Sequence, residues 1–201
     1  LEFEPALAEG EAYYGTLFTS IRDALWRFDS VTEVRDYAQF VAEQMQRLTS
    51  FDRVMVYQFD HNWDGEVIAE ARNEALPSLM GNRFPASDIP PQARALYARN
   101  LIRVLADTDA EPAPLQPAAN PLTGRPLDLS FAVLRAMSPI HLTYMRNMGA
   151  RASITVSLLQ SGRLWGMIAC HNATPRTVPF QLRELAEFVG KTVSMRLGSI
   201  E

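Results

Sequence analysis

Ala152-Ser153-Ile154-Thr155-Val156-Ser157-Leu158-Leu159 and Leu164-Trp165-Gly166-Met167-Ile168-Ala169-Cys170, separated by Gln160-Ser161-Gly162-Arg163, decide the fold. Two apolar-rich segments joined by a short Gly-bearing connection read as an antiparallel β-hairpin. A second hairpin lies upstream. Residues 53–59 (Arg53-Val54-Met55-Val56-Tyr57-Gln58-Phe59) read as a strand, Asn62-Trp63-Asp64-Gly65 as the turn and 66–71 as the return strand. A short apolar run over 101–106 predicts one further strand.

Helices are expected on either side. Leu17, Phe18, Ile21, Leu25 and Phe28 recur at three- and four-residue steps, which predicts an amphipathic helix over 15–28. Val34, Tyr37, Ala38, Val41 and Met45 do the same for a helix that follows Thr32 and runs to about Leu48, with Ser30 or Thr32 as its cap. Pro90 opens a helix to residue 99. Ser138-Pro139 opens another to Met148, ended by Gly149. Leu182, Leu185, Ala186, Val189 and Val193 keep helical spacing in a last helix over 179–199. Strands between flanking helices imply an α+β domain: a central antiparallel sheet, helices on one face, and long loops with a ligand pocket on the other. The Pro-, Ala- and Asp-rich stretch 107–128 reads as a working loop. The apolar stripes of the terminal helices fit either packing on the sheet or a homodimer contact.

Composition narrows the function. In 201 residues, 47% hydrophobic and 21% charged residues are enough for a sizeable core in one domain. A net charge of -4 argues against binding driven by nucleic-acid phosphates. No run approaches the length of a membrane span, and no signal peptide is visible, so a cytoplasmic location is expected. Cys170 is the single cysteine, and His61, His141 and His171 have no metal-ligand spacing, so no metal site is expected.

The most informative stretch is Arg83-Phe84-Pro85-Ala86-Ser87-Asp88-Ile89-Pro90-Pro91. Asp88 just before a helix suits an N-cap, while the prolines would also present Asp88 and Ile89 rigidly to a ligand. His141 lies among Ile140, Leu142, Tyr144 and Met145, His171 closes an apolar strand, and Arg135 follows Ala132-Val133-Leu134. Each has an ordinary structural reading. Together a carboxylate, two imidazoles and a guanidinium among aromatic side chains describe a pocket for a large, partly anionic, conjugated ligand.

From about Phe51 to Cys170 the sequence resembles the chromophore-binding GAF domain of bacteriophytochromes. Pro85-Ala86-Ser87-Asp88-Ile89-Pro90, Ser138-Pro139-Ile140-His141, Arg146-Asn147-Met148-Gly149 and Leu164-Trp165-Gly166-Met167-Ile168-Ala169-Cys170-His171 carry the likeness. The resemblance implies one GAF domain over 1–201, with entry helices in about 1–50, a bilin-binding core over 51–178 and an output or dimer helix over 179–201. It implies biliverdin as chromophore, isomerisation at ring D under red light, a homodimer through the terminal helices, and neighbouring PAS and PHY-type domains.

It also implies residue roles. Asp88, Ile89 and Pro90 face the chromophore, His141 joins the pyrrole network and His171 meets the ring-D carbonyl. Arg135, Arg103, Tyr97, Ser153 and Thr155 hold the propionates. Tyr57, Phe84, Tyr144, Leu79 and Met148 surround ring D and its neighbours, and Ser138 completes the set. Plant and cyanobacterial relatives attach the bilin at a Cys where this sequence has Ile140, and bacterial relatives at a Cys in a preceding PAS domain. Cys170 reads as buried packing, so the bilin is expected to be held non-covalently here. The competing readings are a GAF domain for another ligand such as a cyclic nucleotide, a methionine sulfoxide reductase, which would need reactive cysteines, and an engineered near-infrared fluorescent derivative.

Overall fold

The computed structural model describes residues 33–200 together with Glu4, Gly15 and Thr19. Apart from Gly15 and Thr19, the helix expected over 15–28 lies outside the described residues, as do Ser30 and Thr32. The elements run α1 (Val34–Thr49), β1 (Arg53–Phe59), β2 (Gly65–Arg72), β3 (Arg83–Phe84), a single 3-10 turn (Ala86–Asp88), α2 (Pro91–Arg99), β4 (Ile102–Leu105), α3 (Pro139–Asn147), β5 (Ala152–Gln160), β6 (Arg163–Asn172) and α4 (Phe180–Ile200). Six strands form one sheet in the order β3-β2-β1-β6-β5-β4, every neighbouring pair antiparallel. The two expected hairpins are β1–β2 and β5–β6. They meet edge to edge through β1 and β6.

Alternation along these strands separates two faces. Val54 and Val56 of β1, Ile154, Val156 and Leu158 of β5, and Ile168 and Cys170 of β6 are all fully or almost fully buried in one cluster. That cluster includes Tyr37, Val41 and Met45 of α1 and Leu185, Ala186, Val189 and Val193 of α4. Each fully buried Val, Leu or Ile contributes roughly 1.5–3 kcal/mol relative to exposure. Both α1 and α4 therefore pack on the back of the sheet. A bulge opposite Val56 shifts the β1–β2 register, so Ile68 and Ala69 both face this core and Val67 returns to the other side beside Tyr57.

The opposite face carries the expected cleft, whose walls are α2 and α3 together with the long connection between β4 and α3. One correction concerns Asp88. The N-cap of α2 is Pro90, with no side-chain cap, and Asp88 sits one turn earlier in the 3-10 segment with its side chain exposed. α3 does have a side-chain cap: the Ser138 hydroxyl accepts from the His141 N–H at 3.2 Å.

Gly190 sets how closely α4 approaches the sheet. A Cβ there would lie 2.3 Å from Cγ1 of Val156, whose branched side chain has no room to retreat. Gly190→Ala is expected to destabilise the domain by about 1–3 kcal/mol through overpacking. A lower urea midpoint with an unchanged m-value is the measurement that checks it.

Candidate functional site

The pairing of β1, β6 and β5 lays out the floor of the cleft in three rows. Directly paired residues project to the same face. Arg53, His171 and Ser153 form one row; Met55, Ala169 and Thr155 the next; Tyr57, Met167 and Ser157 the third. On β2, Glu70 pairs with Met55 and Val67 with Tyr57. On β4, Arg103 pairs with Thr155. The floor is thus apolar in the middle, with charge toward both edges.

Two cavities stand on this floor and share Asp88, Tyr97, His141, Tyr144 and Thr155, which makes them one cleft. The inner part, about 80 Å³, is lined by Met55, Tyr57, Val67, Phe84, Ile89, Met148, Met167 and His171 among others. Its rings are in contact: Tyr57 lies 5.8 Å from Phe84 and 5.3 Å edge-on from Phe59. Gly65 permits this, because a Cβ there would fall inside the Tyr57 ring. The outer part, about 510 Å³, is bounded by Pro90, Tyr97, Arg103, Arg135, Ser138, Ser153 and Thr155. Arg135 also borders a further cavity of about 770 Å³ beneath the β4–α3 connection.

The outer end is electrostatically unfinished. Arg103 is buried at 5% exposure, lies 3.5 Å from the Tyr97 ring centroid, and donates to the carbonyl of Asn100 and the hydroxyl of Ser157. Arg135 donates to the carbonyl of Ala132 at 2.8 Å. Among the described residues neither guanidinium has a carboxylate partner. Burial brings Arg103 down to about 10, with the Tyr97 hydroxyl opposing and Arg135 reinforcing the shift. It remains a cation at neutral pH, repelled by a second one. Buried cations without anions are costly, so this end of the cleft is suited to an anionic ligand.

At the inner end the charges are satisfied. Arg53, buried behind His171, pairs with Glu70 at 3.1 Å and also donates to the carbonyl of Pro77. Glu70 also accepts from Ser78 and from the Leu79 N–H. Burial, with Arg53 and His141 adding to it, holds His171 down at about 4. His141 is lowered as well, by burial and then by Arg103. Both imidazoles are therefore neutral at pH 7. Burial, followed by the Asp88 charge and Tyr97, pushes Tyr144 up to about 12. Burial likewise raises Tyr57, with Tyr144, Asp88 and Asp64 adding to it. On the cleft's floor, the buried Nδ1 of His171 and Nε of Arg103 and Arg53 have no hydrogen-bond partner, although the Arg53 atom keeps its ion pair with Glu70.

Of the residues singled out from the sequence, Asp88, Ile89, Pro90, His141, His171, Arg135, Tyr97, Arg103, Ser153, Thr155, Tyr57, Phe84, Tyr144, Met148 and Ser138 all line the cleft. Leu79 does not. It packs half-buried against the Met55–Tyr57–Val67 cluster, beside the inner cavity. Met55, Val67, Met167, Ala169, Ala136 and Met137 also line the cleft, and no motif in the sequence singles them out. The period-two alternation points to three of them: Met55 lies two residues before Tyr57, and Ala169 and Met167 lie two and four residues before His171. Cys170 points the other way, fully buried against α1, with its thiol raised by burial despite a hydrogen bond involving Thr49.

A family model described as GAF domain matches residues 33–199. Cyanobacterial phytochrome B of Nostoc sp. is 40% identical over 201 residues, covering 100% of this chain and 27% of that protein. The bacteriophytochrome of Xanthomonas campestris is 41% identical over 188 residues, covering 92% of this chain and 30% of that one. The chain spans under a third of the length of these relatives. Among solved structures, the chromophore-binding domain of a bacteriophytochrome from R. palustris superposes with a TM-score of 0.91 at 43% identity, covering 96% of this chain and 63% of that one. The chromophore-binding domain of a Stigmatella aurantiaca phytochrome gives 0.89 at 42% identity, covering 96% and 64%.

The depressed His171 has a thermodynamic consequence. An unfolded histidine titrates near 6.5, so between that pH and about 4 the unfolded state binds more protons than the folded one. Its contribution is complete above pH 6.5 and is lost as pH falls toward 4. The stability difference between wild type and His171→Asn is expected to shift by roughly 1–3 kcal/mol against wild type between pH 7.5 and 4.5. Urea melts at the two pH values check it, and a constant difference would refute a neutral His171.

Proposed function

The chain belongs to the GAF domain family and is homologous to the chromophore-binding domains of bacteriophytochromes, and from that premise we propose that it is a light-sensing module binding a linear tetrapyrrole, biliverdin, and not an enzyme. The observation that carries this reading is the pair Arg103 and Arg135, two cations without carboxylate partners among the described residues, at one end of an elongated, aromatic-walled cleft. A flat conjugated molecule with two carboxylates at one side fits that distribution. The guanidiniums, with Tyr97, Ser138, Ser153 and Thr155, would hold the propionates, since fork-shaped cations and hydroxyls bind carboxylates best.

The other residues would divide the remaining surface. Tyr57, Phe84, Met148, Met167 and Tyr144 would pack against the inner rings, with Leu79 supporting them from behind. His171, with its unpartnered Nδ1, would donate to a terminal carbonyl. Asp88 lies at the junction of both cavities, where a carboxylate balances the charge of protonated pyrroles. When bound, the bilin supplies red absorption and a double bond that isomerises at ring D. The chain's own part is to fix the other rings, exclude water, and leave one ring a compliant wall of Tyr57, Phe84 and Tyr144.

In this chain the bilin is held non-covalently. Cys170 is on the helix side of the sheet, and Ile140 stands before His141. Residues 1–201 act as one GAF unit, with α4 leading to the output and the terminal helices joining two copies. PAS and PHY-type domains flank it in the whole protein. A cytoplasmic setting goes with this reading; among the described residues, no helix is long and apolar enough to cross a membrane.

An absorption spectrum taken after incubation with biliverdin tests the proposal. A far-red band that changes reversibly under red light is expected, and Cys170→Ser should leave it intact. Arg135→Ala should weaken binding about tenfold or more, the scale of a lost charge-assisted hydrogen bond. His171→Ala should reduce photoconversion more than affinity. No spectral change in wild type would refute bilin binding.

A further inference from the structure

The cleft's lip, Asp88–Ile89, has no strand or helix of its own to hold it. It occupies one 3-10 turn between Pro85 and Pro90, and the following helix starts without a side-chain cap. What braces it lies outside the cleft. The guanidinium of Arg94, one turn into α2, donates through Nη1 to the carbonyl of Ile89 at 2.7 Å and of Ala86 at 3.2 Å. Those carbonyls bracket Ser87 and Asp88. Arg94 in turn lies over the Trp63 ring, 4.8 Å from its centroid. From the same turn, the Asp64 carboxylate accepts the Ala86 N–H at 2.9 Å.

The β1–β2 turn is shaped for this task. Trp63 has φ 70°, a left-handed conformation that bulky residues avoid and hold only when their surroundings impose it. Asp60 imposes it: its carboxylate accepts from the N–H groups of Asn62 and Asp64, and its carbonyl accepts the Trp63 N–H at 3.1 Å. The second oxygen of Asp60 pairs with Arg83 on β3, just ahead of the lip. Trp63 also meets Phe59, which meets Tyr57 inside the cleft. One small turn therefore holds the lip by a carboxylate and by a stacked cation, and reaches Tyr57 in the cleft by a chain of rings.

We propose that Arg94, seated on Trp63, is a positioning residue that holds the Asp88–Ile89 lip against the cleft and so fixes the carboxylate and the apolar wall that a bound chromophore meets. Arg94 lines neither part of the cleft, so it acts through the backbone it grips. Its effect falls on the order of the lip more than on affinity. The chromophore part of this inference rests on the proposed function; the bracing of the lip does not.

Arg94→Gln separates the two. In the ligand-free protein, amide hydrogen exchange over residues 85–90 should rise about tenfold, the scale of losing charged hydrogen bonds, while exchange in β5 and β6 stays unchanged. Arg94→Lys, which keeps the charge but loses the fork and much of the stacking, should fall between wild type and Arg94→Gln. With biliverdin, Arg94→Gln should change Kd less than about threefold yet broaden the absorption band and lower photoconversion. Unchanged exchange over 85–90, or an equal rise throughout the sheet, would overturn the inference. If wild type takes up no biliverdin, the proposed function fails, and the exchange result alone decides whether Arg94 braces the lip.

Discussion

Every strand of the central sheet has to satisfy two solvents at once, and period-two alternation is the constraint from which the rest follows. Val54, Val56, Ile154, Val156, Ile168 and Cys170 are committed to the helices. Their neighbours Arg53, Met55, Tyr57, Ser153, Thr155, Met167, Ala169 and His171 are thereby forced onto the other face, whatever their polarity. A one-residue slip would bury Arg53 and His171 under α1 and α4, so the register that makes the core also makes the site. The bulge at Ile68 and Ala69 interrupts the alternation on β2, and it delivers Val67 to the cleft beside Tyr57.

The same alternation explains how much was legible in the sequence. Both hairpins, the helix over residues 34–49 and the last helix are elements of seven residues or more that carry a period, and their bounds differ from the expected ones by at most a residue or two. The two-residue β3 and the 3-10 turn are too short to carry a period. Asp88 was open to an N-cap reading because its place in the sequence is right for one. Pro90 occupies that position instead, extended at φ -62° and ψ 158°, and leaves Asp88 at the lip. The polar members of the site came through motifs and chemical oddity. Met55, Met167 and Ala169 have neither, being ordinary strand residues whose role depends on which face their neighbours take.

Stability and function pull against each other at the outer end of the cleft. Arg103 could have been neutralised by one acidic neighbour, as Arg53 is by Glu70 and Arg151 by Asp107. The domain has carboxylates to spare on its surface, yet Arg103 has Tyr97 beneath it, carbonyl and hydroxyl acceptors beside it, and Arg135 as a repelling neighbour. Such an arrangement lowers the stability of the empty fold and raises the affinity for an anion that completes it. At the inner end the reverse holds. Glu70 neutralises Arg53, and His171 stays uncharged beside them, so a neutral hydrogen-bonding group is favoured there. The cleft is polarised along its length, which gives an asymmetric ligand one preferred direction.

On the proposed function, a ligand held without a covalent bond would depend on both ends of that polarised cleft. Cys170 cannot provide an anchor, since reaching the cleft would require the strand to turn its Val54 and Ile154 partners out of the core. Orientation then comes from the guanidiniums at one end and from a lip of fixed shape along the side. The sheet supplies the first directly, because Arg103 is part of a paired strand. It cannot supply the second, because residues 85–90 run beyond the last strand pair. Rigidity has to be brought in from the neighbouring turn. The strained Trp63, the Asp64 carboxylate and Arg94 do this where the local backbone provides only prolines. The cost of holding Trp63 at positive φ is the local expense of an ordered lip, which is why the strain sits in the turn and not in the cleft.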